Sequence, residues 1–145
     1  RIHTRIPTVL PSRITERFLD KIRGLQTKIV IVTHINHPNE LDTETHYVLR
    51  RLRDSGLALL NQTVLLKAVN DKTTTLVELS EKLFNQGVLP YYLHLSDKVE
   101  GTQHLCVTTD TARQLFRDIL KELPGYLVPR LVVEEPGMSS KTLIV

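Results

Sequence analysis

Short apolar runs alternate with amphipathic helical segments along the 145 residues of this chain, and no other feature constrains its fold as strongly. The clearest run is residues 28–33, KIVIVT, whose β-branched side chains are typical of a strand buried in a parallel sheet. Further strands are predicted at residues 1–7, 57–66, 88–95 and 126–134, with helices at 12–24, 42–56, 71–87 and 110–123. This alternation predicts an α/β fold of right-handed βαβ units around a parallel sheet.

Three of the predicted helices carry apolar residues on one face, at helical spacing. Because such a face is buried against a sheet, we expect these residues to point inward. They are Ile14, Phe18, Leu19 and Ile22; Leu76, Leu79, Leu83 and Phe84; and Leu115, Ile119 and Leu120.

Polar residues interrupt the apolar pattern in or just after the predicted strands. They are His34, His37, Asn61, Gln62, Asp97, Glu134 and Lys141. Ligand sites of parallel α/β folds collect beyond the carboxyl ends of the strands. These side chains are therefore the candidate pocket residues.

Lys141 lies in the loop EEPGMSSKT, which follows the apolar run at residues 126–133. A lysine held at the mouth of a sheet can form a Schiff base with an aldehyde cofactor. A solvated lysine on a tail is nevertheless the more frequent case. The loop by itself leaves both interpretations open.

The other polar residues also allow two interpretations. His34 and His37 are three residues apart without a third ligand nearby, so hydrogen bonds to a ligand or to the loop backbone are favoured over a metal site. Gln62 interrupts an apolar strand, which favours either a polar pocket or a structural partner for its amide. Asp97 and Glu134 suit recognition of an ammonium group, although solvation of a turn or rim explains each alone.

Composition argues against several classes of function. Nineteen basic and sixteen acidic residues give a net charge of +3 without a basic stripe, and three Phe, four Tyr and no Trp offer few stacking rings, so no nucleic-acid partner is expected. No apolar run approaches the roughly 20 residues that cross a bilayer. The single Cys106 makes no internal disulfide, which favours a cytoplasmic protein without a membrane partner.

Several segments together resemble the lysine 2,3-aminomutase family of radical S-adenosylmethionine enzymes. They follow that family's order and cover nearly the whole chain: RIHTRIP at 1–7, THINHP at 33–38, NQTVLL at 61–66, DKVEG at 97–101 with His104, GYLVP at 125–129, PG at 136–137 and SKT at 140–142. The resemblance implies the C-terminal part of a partial (β/α) radical-SAM barrel with parallel strands and outer helices. Residues 1–135 would belong to the barrel, and residues 136–145 would begin the lysine loop and a C-terminal extension.

The resemblance also implies an isomerase with three cofactors. In this family a [4Fe–4S] cluster cleaves S-adenosylmethionine to a 5′-deoxyadenosyl radical, and pyridoxal phosphate carries the amino group of L-lysine from carbon 2 to carbon 3. Lys141 matches the lysine that holds pyridoxal phosphate as a Schiff base. Asp97 and Glu134 match the positions that bind the substrate's side-chain ammonium, and His34 and Gln62 match positions near the S-adenosylmethionine ribose.

Within the family, this chain is most similar to the form that makes (R)-β-lysine for elongation factor P, to which a separate ligase attaches it. The resemblance rests on the DKV segment at 97–99, on Glu134 and on the SKT segment. The family's three-cysteine cluster motif would precede Arg1, so we expect the chain to be a piece of a longer protein, without metal ligands and inactive alone. The oligomeric state is open, a homo-oligomer included.

Three other functions remain to be weighed. The chain could belong to an aminomutase for another amino acid, such as glutamate. It could be a non-catalytic α/β binding module, which the residues favour before the family pattern is considered. A metal-dependent barrel hydrolase that uses His34 and His37 is the third alternative.

Overall fold

A computed structural model of the chain describes residues 1–96 and 101–144. In this part of the chain, six strands form one sheet in chain order: β1 (Ile2–Thr4), β2 (Val30–Thr33), β3 (Ala58–Leu65), β4 (Val88–Leu95), β5 (Arg130–Val133) and β6 (Thr142–Leu143). β1 to β5 pair in parallel, and β6 pairs antiparallel with β5. The predicted parallel sheet is confirmed, while β6 was not foreseen.

Within the described residues, five α-helices lie between these strands: α1 (Ile6–Val9), α2 (Glu16–Arg23), α3 (Thr43–Asp54), α4 (Thr73–Asn85) and α5 (Thr109–Glu122). Asp42 caps α3 by accepting a hydrogen bond from the backbone N–H of Thr45. The strand predicted at residues 1–7 is shorter than expected. Pro7 favours a first helical turn, and the carbonyl of Arg5 accepts hydrogen bonds from the next turn, so the chain leaves the sheet after Thr4.

The buried apolar residues form two clusters. One joins β2 and β3 to α2, α3 and α4, and the other joins β3, β4 and β5 to α4 and α5. Two residues predicted to point inward do not: Phe84 is 43% exposed and Leu120 is 48% exposed. The ring of Phe84 makes a tilted contact with Tyr126 at the surface, with centroids 5.4 Å apart, and Leu120 lies at the edge of the buried stripe that contains Ile119.

The helix-facing cluster fixes which strand residues face the other way. Leu65, Leu93 and Leu131 pack among the helices. Because successive side chains of a strand point to opposite faces, Gln62 and His94 lie on the face that the helices leave open. The candidate site lies on this open face and at the carboxyl ends of its strands.

Candidate functional site

Two neighbouring cavities share Gln62 and Glu134 in their walls. The first, of about 540 Å³, is also lined by Lys141, and the second, of about 370 Å³, is also lined by His34. The structure therefore brings together four of the five residues to which the family resemblance gives a role in the site. The fifth, Asp97, lies outside the described residues.

His34 follows directly after β2, and its loop is fastened to β3. The side-chain oxygen of Asn36 accepts a hydrogen bond from the N–H of Val64 at 2.9 Å. Asn70, which is fully buried, donates to the carbonyls of Asn36 and Val64 at 2.8 and 2.9 Å. The loop that carries His34 is thus held by amide side chains, which fixes where the imidazole can reach.

The imidazole of His34 is half-buried near basic side chains. Burial, and then the charges of His3, Arg5 and Lys141, hold the pKa of His34 below its ordinary value. His34 is therefore neutral at physiological pH, so one ring nitrogen can accept a hydrogen bond. The ring of His3 lies edge-on to it, with centroids 6.4 Å apart.

His37 has a structural role in the same loop. Its Nδ1 accepts a hydrogen bond from the N–H of Asn39 at 3.1 Å, and Oε1 of Glu40 accepts one from the N–H of His37 at 3.0 Å. These two hydrogen bonds cap the short turn Pro38–Glu40. No group of three His, Cys, Asp or Glu suited to a metal ion occurs within residues 1–96 and 101–144. The geometry gives the hydrolase alternative no support.

The adjacent amides of β3 have opposite roles. Asn61 accepts hydrogen bonds from Thr33 and from the N–H of Ile35, at 2.8 and 2.9 Å, and donates to the carbonyl of Ile35 and to Thr63 at 2.9 Å each. Gln62 is 8% exposed, and its Oε1 finds no hydrogen-bond partner among the described residues. Asn61 therefore holds the loop, while Gln62 offers an acceptor to the cavities on either side of it.

Lys141 and Glu134 form an ion pair at the mouth of the first cavity. The Nζ of Lys141 donates to Oε1 of Glu134, and this bond and charge lower the pKa of Glu134 below its ordinary value. The neighbouring Glu135 instead accepts a hydrogen bond from Thr142 Oγ1 at 2.6 Å. Of the two consecutive carboxylates, one faces the amine and the other fastens β6.

Two tyrosines that the sequence reasoning missed complete the first cavity. The pairing of β3 with β4 shifts register, so that Asn61 is opposite Pro90 and Gln62 is opposite Tyr92, which leaves Tyr91 as an extra residue. The Nζ of Lys141 lies 5.6 Å from the ring centroid of Tyr92. A sequence signal was present, because Pro90 cannot donate to the ladder and proline within a strand often marks a bulge.

These residues fit two of the three implied cofactors. An amine over an aromatic face, inside a cavity, suits an aldehyde with a planar ring such as pyridoxal phosphate. The unpartnered Oε1 of Gln62 and the neutral imidazole of His34 suit the hydroxyl groups of a ribose. The described residues do not fit an iron–sulfur cluster, since Cys106 is the single cysteine of the chain and its Sγ contacts the carbonyl of Thr102 at 3.7 Å.

Comparison with known proteins gives consistent results. The chain is 49% identical over 142 residues to the L-lysine 2,3-aminomutase of Escherichia coli K12, matching 98% of this chain and 42% of that protein. It is 46% identical over 144 residues to the L-lysine 2,3-aminomutase of Buchnera aphidicola, matching 99% and 42%. The chain thus spans less than half the length of these relatives.

Structural comparison shows the fold. A radical SAM methyltransferase from Sphaerobacter thermophilus superposes with a TM-score of 0.58 at 13% identity, over 83% of this chain and 38% of that one. The expected fold, part of a (β/α) barrel with parallel strands and outer helices, is confirmed. No family model matches the chain. Within the part that the structure describes, no helix is both long enough and apolar enough to cross a membrane.

Proposed function

The chain is homologous over nearly its whole length to part of the L-lysine 2,3-aminomutases, and from that premise we propose that it is the C-terminal part of an enzyme that converts L-lysine to β-lysine. The observation that carries the proposal is the meeting of Lys141, Glu134 and Gln62 in the wall of one cavity. Each of these residues offers a different chemical group to a ligand: an amine, a carboxylate and a neutral hydrogen-bond acceptor.

Lys141 is the residue that would hold pyridoxal phosphate. Its side chain is 23% exposed, so the amine is accessible from the cavity and yet restricted in direction. To react with an aldehyde, Nζ must first give up a proton, and Glu134 is the carboxylate that holds that proton in place. Pyridoxal phosphate, when bound, supplies a π-system through which nitrogen can migrate and a ring over which an unpaired electron spreads.

Glu134, together with Asp97, would bind the side-chain ammonium of the substrate. A carboxylate at the cavity wall attracts a cation and leaves an unpaired charge when an uncharged side chain binds. A glutamate substrate would bring a second carboxylate against the first, which is unfavourable. The site therefore favours lysine over glutamate.

His34 and Gln62 would position S-adenosylmethionine in the second cavity. Both present neutral groups, which can hydrogen-bond ribose hydroxyls without adding charge beside a sulfonium. The [4Fe–4S] cluster would be held by residues outside the described chain.

The product would serve elongation factor P through a separate ligase. This part of the proposal rests on the resemblance of the DKV segment at 97–99, Glu134 and the SKT segment at 140–142 to that form of the enzyme. The test is to supply β-lysine to cells that lack the protein. Restored modification of elongation factor P would support this role, and unchanged modification would oppose it.

Covalent labelling tests the central assignment. The full-length protein is incubated with pyridoxal phosphate, reduced with borohydride and mapped by peptide mass. We expect a pyridoxyl group on Lys141, its loss in Lys141→Gln, and its retention in Lys121→Gln, a surface lysine paired with Asp118 at 2.7 Å. An unlabelled Lys141 in the folded wild-type protein would instead favour the non-catalytic binding module.

A substrate assay addresses the choice of amino acid. The full-length, reconstituted protein is offered equal concentrations of L-lysine and L-glutamate, and the β-amino acids are separated by chromatography. We expect β-lysine alone. Product from glutamate without product from lysine would remove the assigned role of Glu134.

A further inference from the structure

We propose that Glu135 is a positioning residue for Lys141. Its hydrogen bond with Thr142, which we call the clasp, joins the two ends of the loop at residues 134–141 and so restricts the direction of the lysine amine. This inference rests on the proposed function and adds a positioning residue to it. It is carried by the contacts at both ends of the loop.

The second end of the loop has few backbone contacts to the sheet. β6 is two residues long, and its pairing with β5 begins where Thr142 is opposite Val133. One further backbone bond runs from the N–H of Ile144 to the carbonyl of Leu131, at 3.0 Å. A pair of such short antiparallel strands is at best marginally stable on its own, so β6 depends on additional bonds.

Glu135 contacts the loop through both its backbone and its side chain. Its carbonyl accepts a hydrogen bond from the N–H of Met138 at 3.2 Å, which closes a turn at residues 135–138. Gly137, with φ +85°, follows a proline in this turn, and both residue types suit their positions. The carboxylate Oε2 accepts a hydrogen bond from Oγ1 of Thr142 at 2.6 Å. The clasp therefore connects the first residue of the turn to the first residue of β6.

Packing does little to hold this loop. Residues 134–140 are exposed, and Glu135 lines two cavities. One is the cavity of about 540 Å³ that Lys141 also lines, and the other, of about 950 Å³, is bounded by α5 and lined by Thr142. Because the loop borders cavities instead of a packed surface, polar contacts limit how far it can move.

The position of Thr142 affects the amine through the chain itself. Thr142 follows Lys141 directly, so holding Thr142 also holds the Cα from which the lysine side chain extends. A lysine side chain has many rotamers, and only those that direct Nζ into the cavity lead to reaction with an aldehyde. When the competent arrangement is a fraction of the population, the apparent affinity falls by that fraction. The clasp would raise this fraction.

A hydroxyl deletion tests the clasp in full-length protein freed of pyridoxal phosphate, with binding of pyridoxal phosphate followed by absorbance. Thr142→Val keeps the shape of the side chain and removes its hydroxyl, and we expect it to weaken binding about fivefold. Glu135→Ala removes the same bond from the other side and should weaken binding about as much. The double variant should be no weaker than either single variant, because only one bond is lost. Unchanged binding in both single variants, or losses that add, would overturn the proposal.

Conservative variants separate the clasp from charge and from a general loss of structure. Thr142→Ser keeps a hydroxyl donor, and Glu135→Gln keeps an acceptor without the charge, so both should bind within about twofold of the wild type. The matched control is Thr111→Val, which removes a threonine hydroxyl from a surface bond with Thr108 at 2.8 Å at the start of α5. It should bind as the wild type does. A loss in Glu135→Gln as large as that in Glu135→Ala would show that charge acts instead of the clasp, and would overturn the proposal.

Amide hydrogen exchange measures the loop before any cofactor is added. Peptides that cover residues 136–144 should exchange several-fold faster in Thr142→Val than in the wild type, while peptides from β3 should be unchanged. Glu135→Ala serves for the same comparison where Thr142→Val does not fold. Equal exchange of the loop would overturn the proposal, and faster exchange would support it. A lack of borohydride labelling at Lys141 in the wild type would contradict the proposed function instead.

Discussion

The rings of Tyr91 and Tyr92 lie 3.9 Å apart, with their hydroxyl oxygens 3.0 Å apart, although the two residues are consecutive in β4. Neighbouring residues of a regular strand point to opposite faces. The extra residue in β4 cancels that alternation and gives the first cavity a wall of two rings in tilted contact. The open face of the sheet thus gains an aromatic surface beneath the amine of Lys141.

This pair has a titration signature. The hydrogen bond with Tyr91, and then burial, raise the pKa of Tyr92 above its ordinary value. Since the folded protein retains this proton longer than the unfolded chain, the contribution to stability is present below pH about 10 and is lost as pH rises through the folded pKa. We expect Tyr91→Phe to lower the pKa of Tyr92, measured by ultraviolet phenolate titration.

Tyr126→Phe is the control for that titration, because Tyr126 is 62% exposed and contacts Phe84 rather than Tyr92. Removal of the Tyr126 hydroxyl should take one phenol out of the ultraviolet titration curve without changing the titration of Tyr92. A Tyr92 titration that is identical in wild type and Tyr91→Phe would mean that the hydroxyl pair does not form in solution.

The ion pair of Lys141 predicts an effect at acid pH. Because Lys141 lowers the pKa of Glu134, the stabilising contribution of the pair is present above pH 4.5 and is lost as pH falls through the folded pKa. Glu134 is 56% exposed, so screening limits this contribution to less than about 1 kcal/mol. In Lys141→Gln the pKa of Glu134 should rise toward 4.5, as carboxyl carbon NMR of the full-length protein would show. A pKa that stays low without the lysine would require another cation at Glu134.

Asn61 predicts a loss of stability. Removing its side chain would leave the buried N–H of Ile35 without its acceptor, and we expect Asn61→Ala to lower the free energy of unfolding by about 2–3 kcal/mol. Urea denaturation of the full-length protein measures this. Asn39→Ala is the control, because Asn39 is exposed, and it should change stability by less than about 0.5 kcal/mol. Equal stability of the two variants would contradict the role of Asn61.

Local signals were sufficient for much of the fold. The bounds of β4 agree with the predicted residues 88–95, and α3, which Asp42 caps, lies within the helix predicted at residues 42–56. Both follow from short-range chemistry: strand residues flanked by a glycine, and a carboxylate before a helical turn. The rule that sites collect beyond the carboxyl ends of parallel strands also predicted that His34 and Glu134 lie near one another. It succeeded because it depends on topology alone.

The remaining features of the site depend on the register of strand pairing, which no short stretch of sequence determines. Asn61 and Gln62 are adjacent amides in one apolar run, and only the pairing of β3 decides which of them faces the helices. The same pairing creates the bulge that turns Tyr91 and Tyr92 to one side. The loop of Lys141 allowed both a Schiff-base lysine and a solvated lysine, and only the resemblance to a family favoured the first.

Gln62 provides a last prediction, in which stability and function move in opposite directions. Its buried Oε1 has no hydrogen-bond partner among the described residues, and such an atom is costly to bury. Gln62→Leu should therefore leave the free energy of unfolding unchanged or raise it, in contrast to the loss expected for Asn61→Ala. In the full-length protein with its cluster, the same change should weaken binding of S-adenosylmethionine about tenfold, because a hydroxyl donor would meet a methyl group. Urea denaturation and equilibrium dialysis measure the two effects, with Leu60→Ile as a nearby apolar control in β3. A variant that is clearly less stable and binds S-adenosylmethionine normally would show that Gln62 is a structural amide.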